Sequence, residues 1–190
     1  MTLAFDSLQK KTIHEVLEWH RFQVEVLGRE KTRVLADLRT SAATVDPRFI
    51  GMTRDDVDDF FGLHRNELDF VTMLDLMSAA EAAIQIDYRD RVSNRYRDAV
   101  SRCFRNINKR LSGTTKAGRP DLENDLLDVW TANCPKTKAP AREFKGALKL
   151  RHWLAHGRYW NPRLGRQQYT SGDVFDICND LLRAIGALST

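Results

Sequence analysis

What this 190-residue chain has little of narrows its class first. It carries three cysteines, Cys103, Cys134 and Cys178, widely separated and odd in number. That argues against a disulfide framework and against a CxxC metal knuckle, and it fits a reducing cytoplasm. No window of about 18 consecutive apolar residues occurs, so no membrane span is expected. The N-terminus, MTLAFDSLQKK, lacks a basic region followed by an apolar run, so no secretory signal is expected either. No segment of useful length alternates with the two-residue period of a strand, and there is no internal repeat or low-complexity tract.

What is present is helical periodicity. Ile13, Val16, Leu17, His20, Val24, Leu27, Val34, Leu35 and Leu38 recur at spacings of three, four or seven, with Asp6 or Ser7 as a candidate cap. The stretch TSAATVDPRFIGM breaks this helix. Thr53 followed by Asp55 and Asp56 opens a second, short helix expected to end near Gly62. A long apolar run follows through Leu68, Val71, Leu74, Met77 and Ala80. It is expected to continue, with a kink, through Val92, Tyr96, Val100, Cys103, Ile107 and Leu111 to Gly113. Beyond the loop SGTTKAGRP come a short helix over Asp121–Trp130, a helix from about Pro140 to His156 stopped by Gly157, a loop over 161–172, and a last helix through Val174, Ile177, Cys178, Leu181, Leu182 and Ile185. The reading is one all-α domain over 1–190: a bundle of five to seven helices with a long N-terminal helix.

The net charge of +4 is unevenly spread. Ser41–Glu81 holds nine acids against three bases, Arg89–Arg119 ten bases against two acids, and Asn133–Thr170 nine bases against one acid. Two basic blocks point either to a polyanion partner or to a solvated arginine-rich surface.

The densest chemistry lies in LRHWLAHGRYW, residues 150–160. At about 100° per residue, Arg151 falls inside the apolar stripe of Phe144, Leu148 and Ala155, whereas Arg142, Lys145, Lys149, His152 and His156 form one basic flank. An arginine on an apolar stripe needs a buried acid, such as Glu81, or an interface or cleft. His156, in the last turn, either caps free carbonyls or, held near neutral pKa by the helix C-terminus, moves protons. His152 and His156 have the spacing of a zinc-binding HExxH helix, but Trp153 stands where the glutamate would be and no third ligand is evident. No metal and no cofactor is called for. Without a metal, an imidazole acid or base and a guanidinium clamp are what cleavage of RNA through its own 2′-OH requires. One arginine and one histidine make half of such a site, and two copies across a symmetric dimer complete it. Lys145 and Lys149 would hold the backbone, with Trp153, Tyr159 or Trp160 available to stack a base.

Arg151-His152-Trp153-Leu154-Ala155-His156, followed by Gly157, resembles the R-x(4–6)-H motif of HEPN domains, in which a polar residue often follows the arginine. LDLMSAAEAAIQIDYRDRV, from Leu74 to Val92, resembles the central helix of that family, notably of its RiboL-PSP group. The resemblance covers about 65–188 and makes 1–64 an N-terminal elaboration. It implies a helical-bundle homodimer and a metal-independent endoribonuclease with Arg151 and His156 catalytic and His152 assisting. Arg142, Lys145, Lys149, Arg158, Tyr159 and Trp160 would contact RNA. Products would carry 2′,3′-cyclic phosphate and 5′-hydroxyl ends, and the setting would be a toxin or antiphage-defence system. It also implies an antitoxin or a nucleotidyltransferase partner that modifies a tyrosine in R-x4-H-x-Y; here Tyr159 stands one position further on. A catalytically silent HEPN module that binds RNA, a nucleotide or a protein is the alternative.

Overall fold

The computed structural model describes residues 11–40, 46–115, 118–158, 160 and 168–187. Among them there are six α-helices and no strand: α1 (Ile13–Thr40), α2 (Arg54–Ser93), α3 (Ala99–Leu111), α4 (Asp128–Asn133), α5 (Lys138–Ala155) and α6 (Ser171–Ile185). An all-α bundle with a long N-terminal helix is thus the observed architecture. No helix among the described residues is long and apolar enough to cross a membrane.

Local chemistry sets the ends. Thr12 and Glu15 form a reciprocal cap at the start of α1, with Glu15 N donating to the Thr12 hydroxyl and Thr12 N to the Glu15 carboxylate at 2.7 Å. The expected cap residues Asp6 and Ser7 lie outside the described residues. Thr53 and Asp56 build the same box at α2, as the sequence suggests. The helix they start does not end near Gly62, however; it runs forty residues to Ser93. A helix-interior glycine costs about 1 kcal/mol relative to alanine, which the burial of Val57 and Phe61 on the same helix outweighs.

The expected continuation of that helix through Tyr96 is also corrected. Residues 94–98 break it: Arg95 takes a left-handed conformation (φ 54°), and Asp98 caps a new helix by accepting from Ser101 N at 2.9 Å. The helix expected over Asp121–Trp130 begins instead with a turn of π-helix, Leu122–Leu127, in which Leu126 N donates to the Asp121 carbonyl at 3.1 Å, and passes into α4. α5 starts two residues before Pro140, which fits within a first turn whose N–H groups lack intrahelical partners. Of the loop expected over 161–172, residues 161–167 lie outside the described residues, and α6 already begins at Ser171 behind a Thr170–Asp173 capping box.

The main core gathers on α2, where Met73, Leu76, Met77, Ala80, Ile84 and Tyr88 are buried. Phe104 of α3, Trp130 of α4, Phe144 and Leu150 of α5 and Leu181 of α6 close on this face. Tyr88, Phe104 and Trp130 form an edge-to-face chain with centroids 5.2 and 6.3 Å apart. A smaller cluster of Val34, Phe49, Val57 and Phe61 joins the far end of α1 to the start of α2. Position 64/65 falls inside the unbroken α2, and Ile13 and Val16 of α1 belong to the main core.

Cys178 is sealed between α6 and α2, and burial pushes its thiol up to about 12. Cys103 and Cys134 are only partly buried. A thiol-disulfide reagent at neutral pH should therefore label Cys103 and Cys134 in the native protein and reach Cys178 only under denaturant. Rapid native labelling of Cys178 would contradict this packing of α6.

Candidate functional site

α5 lies antiparallel to α2 and places the quoted segment at one end of the bundle. Its buried face is Ala141, Phe144, Ala147 and Leu150. The apolar stripe then leaves the core: Ala155 is exposed, and Arg151 is half-buried where α5 emerges. Arg151 Nη2 pairs with Glu81 Oε2 of α2 at 3.0 Å, while its Nε is buried and makes no hydrogen bond among the described residues. Both sequence options for this arginine hold together. It has its acid, and it also lines a cleft of about 760 Å³ with Glu81, Gln85, Lys145, Lys149, His152 and Trp160. Arg119, Asp121 and Glu123 form the opposite wall, beside the π-turn.

The histidines share one flank, as the helical wheel requires. The rings of His152 and His156 lie 4.3 Å apart, and His152 is 5.7 Å from Trp160. His156 is the C-terminal cap residue of α5, with its backbone N–H on the His152 carbonyl, and Gly157 follows at φ 82°. Both imidazoles are exposed, but only His152 lines the cleft. Among the described residues no group of three His, Cys, Asp or Glu side chains gathers as a metal site.

The proposed RNA contacts divide into distinct environments. Lys149 is exposed on the cleft and makes no ion pair among the described residues. Lys145 reaches it too, with its ammonium 2.7 Å from Asp128. Arg142 is exposed on the same flank, one turn before Lys145, but does not line the cleft, and Glu143 lies 3.8 Å from its guanidinium. Arg158 forms a two-pronged pair with Glu67 of α2 at 2.8 and 2.9 Å and lies over the Phe70 ring. Trp160 accepts at its carbonyl from Trp153 Nε1 at 2.7 Å, and Trp153 meets Phe70 edge-to-face. These contacts fold the chain back after α5 and present Trp160 to the cleft. Tyr159 lies outside the described residues.

Sequence reasoning did not find Gln85, Arg119, Asp121 or Glu123 as cleft residues, nor Glu67 as the partner of Arg158. The pair Glu67 and Glu81 had a legible signal. They stand fourteen positions apart, close to four helical turns, so both face α5 from one side of α2.

Compared with known proteins, the chain matches no family model, no curated protein and no solved structure. Its functional reading therefore rests on residues and geometry.

The Glu67–Arg158 pair is partly exposed, so its coupling in a double-mutant cycle should be about 0.2–1 kcal/mol. Its larger effect is local: Arg158→Ala should raise amide hydrogen exchange at Gly157, residue 158 and Trp160 without altering exchange in α2. Unchanged exchange there would show that the pair does not hold this segment.

Proposed function

We propose that the chain is a metal-independent endoribonuclease of HEPN type, working as a toxin or antiphage-defence effector. The observation that carries this reading is the cluster at the end of α5: two imidazoles with ring centres 4.3 Å apart, beside a guanidinium held on a basic-sided cleft. In the reaction, an imidazole takes the proton of the 2′-OH as that oxygen forms its bond to phosphorus. The P–O5′ bond then breaks, and an imidazolium protonates the departing 5′ oxygen. Arg151 stabilises the charge that builds on the non-bridging oxygens. Products are a 2′,3′-cyclic phosphate and a 5′-hydroxyl.

In-line displacement puts the attacking and leaving oxygens on opposite sides of phosphorus. His152 and His156 stand together and serve one side. The second side falls to the same residues of another copy, which is why a homodimer belongs to the proposal. Glu81 has the role of a placeholder: its carboxylate holds Arg151 in the cleft until a phosphate, with more acceptor oxygens in fork geometry, takes the guanidinium over.

That same pair favours a second reading. If Glu81 never releases Arg151, the chain is a silent HEPN module that binds RNA, a nucleotide or a protein through Lys149, Trp160 and neighbours.

Purified protein in excess EDTA should cleave RNA. His156→Ala should lower the rate by about 10²–10⁴ with an unchanged thermal transition, since the side chain is exposed. Arg151→Ala should fall similarly. Equal cleavage by wild type and His156→Ala rules the assignment out; binding without cleavage in every form favours the silent module.

A further inference from the structure

A second basic surface lies outside the α5 cleft, at the corner where α2 ends and α3 begins. Arg89 is on the last turns of α2, Arg95 and Arg97 are in the connection, and Arg102, Arg105 and Lys109 share the outward face of α3. The last three are spaced i, i+3 and i+7, so they line one stripe over about 10 Å of helix.

The local carboxylates are all turned to other tasks. Asp87 pairs with Arg91 at 2.8 Å, beneath the surface, where Arg91 also stacks on Trp130. Asp98 accepts from the Ser101 hydroxyl at 2.6 Å. Asp90 is held by Asn94 at 2.6 Å and by the Tyr96 hydroxyl at 2.9 Å. Arg110, on the next face of α3, is taken by Asp125. The six outer cations make no ion pair among the described residues.

The corner is also fixed in shape. Arg102 Nη1 donates to the Arg97 carbonyl at 3.0 Å, and Arg105 Nη1 to the Tyr96 carbonyl at 2.8 Å. Each guanidinium spends one N–H on the connection and keeps its charge at the surface. These bonds hold a turn in which Arg95 stays at φ 54°, a conformation that costs a non-glycine residue of order 1 kcal/mol. Tyr96, between Arg95 and Arg97 in the sequence, is exposed, and its hydroxyl is on Asp90.

We propose that this corner docks the phosphate backbone of RNA, as a holding surface separate from the α5 cleft. Five of the six cations are arginines, whose forked donors match phosphate oxygens, and an interleaved aromatic offers a stacking face. A membrane surface fits less well: a helix that lies in a headgroup layer exposes Trp, Phe or Leu beside its cations, and α3 exposes none. The proposal rests on the endoribonuclease reading only for the choice of RNA as the polyanion.

The test is fluorescence anisotropy with a labelled 2′-O-methyl oligoribonucleotide, which cannot be cleaved through its 2′ oxygen, in KCl from about 50 to 200 mM. Arg102→Glu/Arg105→Glu should weaken binding about tenfold or more and flatten the slope of log affinity against log salt by about 0.7 per lost phosphate contact. Arg89→Glu/Lys109→Glu removes charges that make no side-chain hydrogen bond among the described residues, and it should act in the same direction with unchanged thermal unfolding. Affinity and slope equal to wild type in both variants overturn the proposal. So does a loss of binding confined to vesicles of equimolar phosphatidylcholine and phosphatidylserine. Binding that the corner variants weaken, in a protein that never cleaves unmodified RNA, supports the corner and counts against the endoribonuclease; cleaving protein whose variants bind as wild type does the reverse.

Discussion

The constraint on which the site depends is the pairing of Arg151 with Glu81. A guanidinium on the core-facing stripe of α5 is tolerable only with an acceptor close by. α2 supplies it at 3.0 Å, where the stripe leaves the core. The pair fixes the rotation of α5 on α2, and with it which flank faces out. Once Arg151 points to Glu81, His152 and His156 are carried to the cleft side and the surface beside it. Seven residues further along the chain, Arg158 is taken by Glu67, which turns the chain back so that Trp160 reaches the same cleft. The pairs are partly exposed and contribute little to stability, about 0–1 kcal/mol each. Their contribution is orientation, while the energy comes from the apolar face of α2.

α2 acts throughout as an acidic spine. At its first half Asp69 bonds His20 of α1 at 2.6 Å and also accepts from Ser171 of α6, joining three helices. In its second half Asp87 holds Arg91, and Arg91 in turn covers Trp130 of α4. The uneven charge of the sequence thus has two meanings. Part of each basic block is neutralised by acids within the fold. The remainder, at Lys149 and at the corner of α2 and α3, makes no ion pair among the described residues.

Much of this was legible from residue order. The 3.6-residue period identified an all-α chain, and the Thr53–Asp56 box marked the start of α2. The angle between Arg151 and the histidines followed from helix geometry, and Glu81 was a natural acid for Arg151. Two boundaries were not legible. Gly62 reads as a stop, but burial on either side of it carries the helix through. The apolar period across 92–111 reads as one helix because Val92, Val100 and Ile107 keep phase, although Arg95 and the Asp98 cap interrupt it. Local propensity did not reveal the wall of the cleft formed by Arg119, Asp121 and Glu123, since only tertiary packing brings the π-turn opposite α5.

The account's central claim is that the end of α5 uses the substrate's own 2′ oxygen and no metal. The most direct measurement is cleavage, in EDTA, of an RNA whose cut site has been mapped, compared with the same RNA lacking the single 2′-OH at that site. The account predicts 2′,3′-cyclic phosphate and 5′-hydroxyl ends on the first and no cut at that position in the second. Cutting at the deoxy position, or 5′-phosphate ends, would contradict it.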